Sequence, residues 1–126
     1  MSGRSPVLYI EDSALAIKVV EEILAKRPTV DLVPAMTAAD GIAKAHAEQP
    51  KMIILDLGLP DRPGLEVLDE LRADQSTSWI PVLVLTADTD PEQEARLLVS
   101  GALAYLTKPM DENLFLALVD ECLSRG

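Results

Sequence analysis

The stretch Met52-Ile53-Ile54-Leu55-Asp56-Leu57-Gly58-Leu59-Pro60 decides the fold, because four apolar residues run straight into an acid and then a turn. With no polar residue alternating among the four, the run reads as a strand covered on both faces, as parallel strands are. The loop Gly58-Leu59-Pro60-Asp61-Arg62-Pro63-Gly64 is dense in turn formers and excludes regular structure. Three more runs share this design. Val7-Leu8-Tyr9-Ile10 ends in Glu11-Asp12, Val82-Leu83-Val84-Leu85 ends in Thr86, and Ala104-Tyr105-Leu106-Thr107 leads into Lys108-Pro109.

Helical patterns separate these runs. Leu15, Val19, Val20, Ile23 and Leu24 are expected on one face of a helix that ends before Pro28. Val30 to Ala35 reads as the second strand, and Ala38 to Glu48 as an Ala-rich helix stopped by Pro50. Leu65, Val67, Leu68 and Leu71 mark a third helix. Pro91 to Ser100 is a fourth, with proline in its first turn and Gly101 suited to its C-cap. Leu114, Leu116, Leu118, Val119 and Cys122 lie on a last helix starting near Asp111.

Five strands alternating strictly with five helices predict an α/β fold, a doubly wound parallel sheet with strand order 2-1-3-4-5. Ligands of such sheets bind beyond the carboxyl ends of the strands, where the order reverses. Strands one and three are then neighbours, and Glu11-Asp12 falls beside Asp56. One acid after a strand is more simply a helix N-cap. Coincidence does not explain the whole set.

A chain of 126 residues is expected to be one domain, 1–126, with its core at about 7–123. Eleven Lys and Arg against 21 Asp and Glu leave a net charge of 11 − 21 = −10, which argues against direct nucleic-acid binding. The single cysteine, Cys122, excludes an internal disulfide, fits a reducing compartment and reads as packing. Met1-Ser2-Gly3-Arg4-Ser5-Pro6 has no apolar signal-peptide region, and no apolar run approaches the ~20 residues of a membrane span. A cytoplasmic location without membrane insertion is expected. His46, before Glu48-Gln49-Pro50, reads as a solvated helix position, and Trp79 is expected at the sheet end away from the acids.

Three carboxylates within a few ångströms repel one another unless a cation compensates. Oxygen-only ligation at a solvent-facing site suits Mg²⁺, which prefers six oxygens at ~2.0–2.1 Å and keeps several waters. Asp12 and Asp56 would bind it directly, Glu11 through water, and Gly58 would offer its backbone carbonyl. Lys108 supplies a movable point charge able to tether a phosphoryl group.

The set Glu11-Asp12, Asp56-Leu57-Gly58-Leu59-Pro60 with Gly64, Thr86-Ala87 and Lys108-Pro109 resembles the signature of receiver domains of two-component response regulators. The resemblance runs from about Val7 to Leu123 and implies the flavodoxin-like (βα)5 receiver fold. It implies that Asp56 is the phosphoacceptor, taking its phosphoryl group from a phosphohistidine. It implies that Asp12, Asp56 and the Gly58 carbonyl hold Mg²⁺, or Mn²⁺ in its place, with Glu11 assisting. Lys108 then contacts the phosphoryl group and precedes a cis proline. Thr86 is the switch hydroxyl, the Ala87 N–H faces the phosphoryl oxygens, and Tyr105 is the aromatic switch. The implied domain phosphorylates itself, loses the group by autodephosphorylation and is not otherwise an enzyme.

The implied partners are a histidine kinase or histidine phosphotransfer protein and a downstream target or attached output domain, with a homodimer on phosphorylation as a further expectation. Leu8-Tyr9-Ile10-Glu11-Asp12 and Tyr105-Leu106-Thr107-Lys108-Pro109 look like receivers of hybrid sensor kinases. The chain is thus expected to stand alone or to be excised from a longer protein such as a hybrid kinase. Some positions depart from the family pattern. Leu59 stands where Met is frequent, Ser13 where Asn is common, and Leu103-Ala104 where acids are frequent, which should make the output face more apolar. Asp88 places another negative charge near the phosphate and is expected to alter its lifetime.

Three other readings compete. A haloacid-dehalogenase-type phosphatase wants a second Asp two residues after its nucleophile, where this chain has Gly58. An FMN-binding flavodoxin needs a Ser/Thr/Gly phosphate loop after strand one, where Glu11-Asp12 would repel phosphate. The alternative kept is a phosphorylation-independent receiver-like module used for protein contacts.

Overall fold

The computed structural model describes residues 4–125, so the reading of Met1-Ser2-Gly3 lies outside it. The chain runs β1 (Ser5–Ile10), α1 (Ala14–Leu24), β2 (Val30–Ala35), α2 (Ala38–Glu48), β3 (Met52–Leu55), α3 (Gly64–Ala73), β4 (Val82–Thr86), α4 (Pro91–Val99), β5 (Ala104–Thr107) and α5 (Glu112–Ser124). All five strands pair in parallel, in the order β2-β1-β3-β4-β5. The expected fold is the observed one.

Alternation along the strands divides the core into two layers. Leu8, Ile10, Ile53, Leu55, Val82 and Val84 face α2, α3 and α4, where Ala45, Val67, Leu68, Leu71 and Leu97 meet them. Val7, Tyr9, Met52, Ile54, Leu83 and Leu85 face α1 and α5, packing on Val20, Leu24, Phe115, Val119 and Cys122. The central strands are buried on both sides, which is why their sequences read as unbroken apolar runs. β2 closes one edge and tolerates Pro34 there, where no ladder bond is lost inside the sheet.

The expected face of α1 needs correction. Val20 and Leu24 are buried, but Leu15 is 76% exposed and Val19 also points outward. At about 100° per residue the five apolar positions cover half the helix circumference, more than one sheet face can bury. Leu103 and Ala104 likewise pack inward against the α5-side layer. The exposed apolar residues near them are Leu98 and Val99, at the end of α4.

His46 is exposed on α2, as expected, and also has partners. Its Nδ1 lies 3.0 Å from Ser76 Oγ and its Nε2 3.6 Å from Asp74 Oδ2, tying the end of α2 to the segment after α3. Trp79 sits beside it at the amino edge of the sheet, as expected, donating from Nε1 to the Ser76 carbonyl at 3.0 Å. Among the described residues no helix is long and apolar enough to cross a membrane.

Candidate functional site

Strand register assembles the site. Ile10 is level with Leu55, and the Asp56 N–H donates to the Ile10 carbonyl at 3.0 Å, so the acids after β1 and β3 emerge side by side. Thr86 is level with Thr107, and the Lys108 N–H donates to the Thr86 carbonyl at 2.8 Å. Carboxylate oxygens of Glu11, Asp12 and Asp56 all lie within 4.8 Å of one another. Glu11 and Asp56 are buried and Asp12 is exposed, so the cluster opens to solvent on the Asp12 side.

Lys108 answers this negative charge. Its Nζ donates to Glu11 Oε1 and lies 3.5 Å from Asp56 Oδ1. Glu11 is taken up by protein donors on both oxygens, since the Tyr9 hydroxyl donates to Oε1 at 3.2 Å and the Ser13 N–H to Oε2 at 3.2 Å. Burial, then Glu11 and Asp56, push the Tyr9 phenol well above its ordinary range, so it stays protonated and serves as a donor. Tyr9 carries no sequence signal of this role beyond its place two residues before Glu11, which lies just past the end of β1.

Asp56 faces a cleft of about 340 Å³ whose walls include Gly58, Thr86, Ala87, Asp88, Gln93 and Lys108. Asp56 Oδ2 accepts from the Gly58 N–H at 3.0 Å, leaving Oδ1 as the oxygen turned toward Lys108. The Thr86 hydroxyl is buried and accepts from the Asp88 N–H at 3.2 Å. Tyr105, half-buried against the core, donates its hydroxyl to the Asp88 carbonyl at 2.7 Å. The Asp88 carboxylate takes the Asp90 N–H at 2.9 Å and the Gln93 side chain at 2.8 Å, linking the cleft rim to α4. Gln93 was not singled out from sequence; its place depends on how α4 packs.

The Lys108–Pro109 peptide is cis, as the resemblance implied. Gly64 suits the start of α3, because a Cβ there would press on Leu57, 2.4 Å from Cδ2 and 3.1 Å from Cα. Arg62 pairs with Glu70 at 2.8 Å, fixing the same end of the loop. Among the described residues the donor set is three carboxylates with no His or Cys, which fits a hard divalent cation.

Comparison with known proteins agrees with this geometry. Residues 7–120 match the family described as response regulator receiver domain. The chain is 36% identical over 122 residues to the transcriptional regulatory protein KdpE of Mycobacterium tuberculosis, covering 95% of this chain and 51% of that protein. It is 34% identical over 113 residues to hybrid signal transduction histidine kinase D of Dictyostelium discoideum, covering 90% of this chain and 7% of the kinase. The chain thus spans about half the length of the first of these relatives and a small part of the second.

Chemotaxis response regulator CheY4 of Vibrio cholerae has the same fold, with a TM-score of 0.83, 25% identity and coverage of 94% and 98% of the two chains. The Mn²⁺-bound form of response regulator Rcp1 matches with a TM-score of 0.76 and 27% identity over 96% of this chain and 93% of its own. A Pseudomonas aeruginosa receiver solved with magnesium in its cleft shares the fold, with a TM-score of 0.84 and 21% identity over 95% and 98%. This chain belongs to the receiver-domain family of two-component signalling, and its acidic pocket is Glu11, Asp12 and Asp56.

Proposed function

We propose that residues 1–126 form one phosphoacceptor receiver, working in the cytoplasm, in which Asp56 takes a phosphoryl group from a phosphohistidine. The observation that carries this reading is a buried carboxylate at the wall of a cleft also lined by Thr86, Ala87 and Lys108. Asp56 Oδ1 attacks phosphorus in line with the departing imidazole. An O–P bond forms, the P–N bond breaks, and its electron pair returns to the imidazole nitrogen. Such transfer passes through a loose transition state, so the protein contributes position and charge rather than covalent chemistry.

Asp12, Asp56 and the Gly58 carbonyl would hold Mg²⁺ or Mn²⁺; the metal-bound relatives support this. When bound, the cation supplies positive charge toward the phosphoryl oxygens. Lys108 leaves its pairing with Glu11 to meet the new charge, and the Ala87 N–H faces another oxygen. Glu11 acts chiefly as the counter-ion that parks Lys108, because both its oxygens already accept from the protein. The acyl phosphate is cleaved by water, which resets the domain without a separate enzymatic activity.

Thr86 would turn inward to the phosphoryl group, giving up the Asp88 N–H. Tyr105 is bonded to the carbonyl of that same Asp88, so the change passes to the surface of α4 and β5. The donor is a histidine kinase or phosphotransfer protein. An apolar groove beside the cleft, between α1 and the Pro109-Met110 turn, supports this, because Lys108 lines both cavities. The output is a downstream protein or attached domain, with homodimer formation as one route.

Beryllofluoride with Mg²⁺ should shift the NMR signals of Thr86, Ala87 and Tyr105 in the wild type and leave Asp56→Asn unchanged. A wild type that does not respond would favour the phosphorylation-independent interaction module.

A further inference from the structure

The middle of the β3–α3 loop is tied to a helix that the phosphoryl chemistry does not involve. Asp61 Oδ1 accepts from the Ala38 N–H at 2.8 Å and Oδ2 from the Ala39 N–H at 3.0 Å, so one carboxylate spans the first two amides of α2. The next two donors are served locally. The Asp40 N–H goes to Thr37 Oγ1 at 3.0 Å and the Gly41 N–H to the Thr37 carbonyl at 2.9 Å. Thr37 thus already caps the helix, and Asp61 adds a link across about two dozen residues of sequence.

The rest of the loop shows what that link holds. At its front, the Gly58 N–H is fixed to Asp56 Oδ2. At its back, Gly64 is seated on Leu57 and Arg62 reaches α3 through Glu70. Between these points, the Asp61 carboxylate is the polar tie to α2 among the described residues. Two residues, Leu59 and Pro60, separate it from Gly58, a reach of roughly 10 Å. Leu59 packs on the core beside Gly58, so freeing Asp61 would loosen the loop only in part. It would shift the Gly58 carbonyl that the metal reading requires while both ends stay anchored.

We propose that Asp61 is a positioning residue that sets the Gly58 carbonyl for the metal and couples metal occupancy to the first turn of α2. This rests on the metal reading of the acidic pocket given above. Coupling of this kind is reciprocal. If an ordered α2 N-terminus favours the metal, the metal in turn protects the Ala38 and Ala39 amides.

The test compares wild type, Asp61→Ala and Asp61→Asn by Mg²⁺ titration calorimetry and by amide hydrogen exchange with and without Mg²⁺. In metal-free protein, Asp61→Ala should speed exchange at Ala38 and Ala39 while leaving amides of β3 and β4 protected. Its Mg²⁺ affinity should fall about 3- to 10-fold, less than for a residue bonded directly to a ligand. Mg²⁺ should slow Ala38 and Ala39 exchange in the wild type and no longer do so in Asp61→Ala. Asp61→Asn keeps one acceptor oxygen and should fall between. Equal Mg²⁺ affinity in wild type and Asp61→Ala would overturn the positioning role, as would a loss of protection spread evenly over the sheet. A wild type that binds no Mg²⁺ would sink the metal reading and the coupling together. Unchanged Ala38 and Ala39 exchange in metal-free Asp61→Ala would overturn the tie alone.

Discussion

At the carboxyl edge of the sheet the buried polar groups include two carboxylates, whereas at the amino edge they are neutral or bind only carbonyl oxygens. Glu11, Asp56 and Lys108 meet beyond the ends of β1, β3 and β5. At the opposite edge, Arg72 donates to the carbonyls of Ser78 at 3.2 Å, Ile80 at 2.8 Å and Gly101 at 3.0 Å, with no carboxylate among them. Buried Thr77 donates to the Leu71 carbonyl at 2.8 Å. Both edges are satisfied, but only one is poised. A cluster with more acids than cations gains from an added cation and can exchange its lysine between partners. A guanidinium fitted to fixed carbonyls has one good arrangement, and so it serves as a brace.

Substitutions at the two edges should therefore fail in different measurements. Lys108→Met should slow phosphoryl uptake from a small phosphoramidate by on the order of 100-fold, the usual loss for one removed charge-stabilising donor. Rates followed by intact mass would check this, and uptake within a factor of two of wild type would break the contrast. Arg72→Met should lower unfolding free energy by about 1–2 kcal/mol, mainly through the unpaired Ile80 carbonyl, and leave the uptake rate unchanged. Urea unfolding reads the first part and the same mass assay the second.

Acid should act at both ends through carboxylates held by backbone amides. The Ala38 and Ala39 amides hold Asp61 below the ordinary 3.8. The Ser76 amide and hydroxyl do the same for Asp74, helped by His46. A group whose folded value is depressed stabilises the protein fully above its unfolded value and loses that contribution as pH falls through the folded value. Stability should thus decline below about pH 4, and Asp61→Asn and Asp74→Asn should each flatten the decline in metal-free unfolding curves. The smallest expected effect belongs to Asp88, whose carboxylate is occupied by Asp90 and Gln93 rather than free over the cleft. Asp88→Asn should change the decay rate of the phosphorylated protein by only about two- to fivefold. An unchanged decay rate would remove Asp88 from the control of phosphate lifetime.

Much of the carboxyl edge was legible because its chemistry lies where apolar runs stop. Unbroken runs before Glu11, Asp56 and Thr86 reveal parallel strands, and strict alternation with helices orders them. The resemblance then supplied roles that periodicity alone leaves open, as for Tyr105. What stayed hidden depends on contacts distant in sequence. Nothing near Asp61 points to Ala38, and nothing near Arg72 points to Gly101. The outward Leu15 escaped notice for a different reason: an apolar pattern gives hydrophobicity at each position but not how wide a stripe the sheet will cover. His46 is an exposed helix position as expected, but its partners Asp74 and Ser76 approach from another element and leave no local sign.

Whether Asp56 receives a phosphoryl group is read most directly by intact-mass measurement with phosphoramidate and Mg²⁺. One phosphoryl group should add to the wild type, be lost over time after the donor is removed, and be absent from Asp56→Asn. Equal labelling of Asp56→Asn, or no labelling of the wild type, would contradict it.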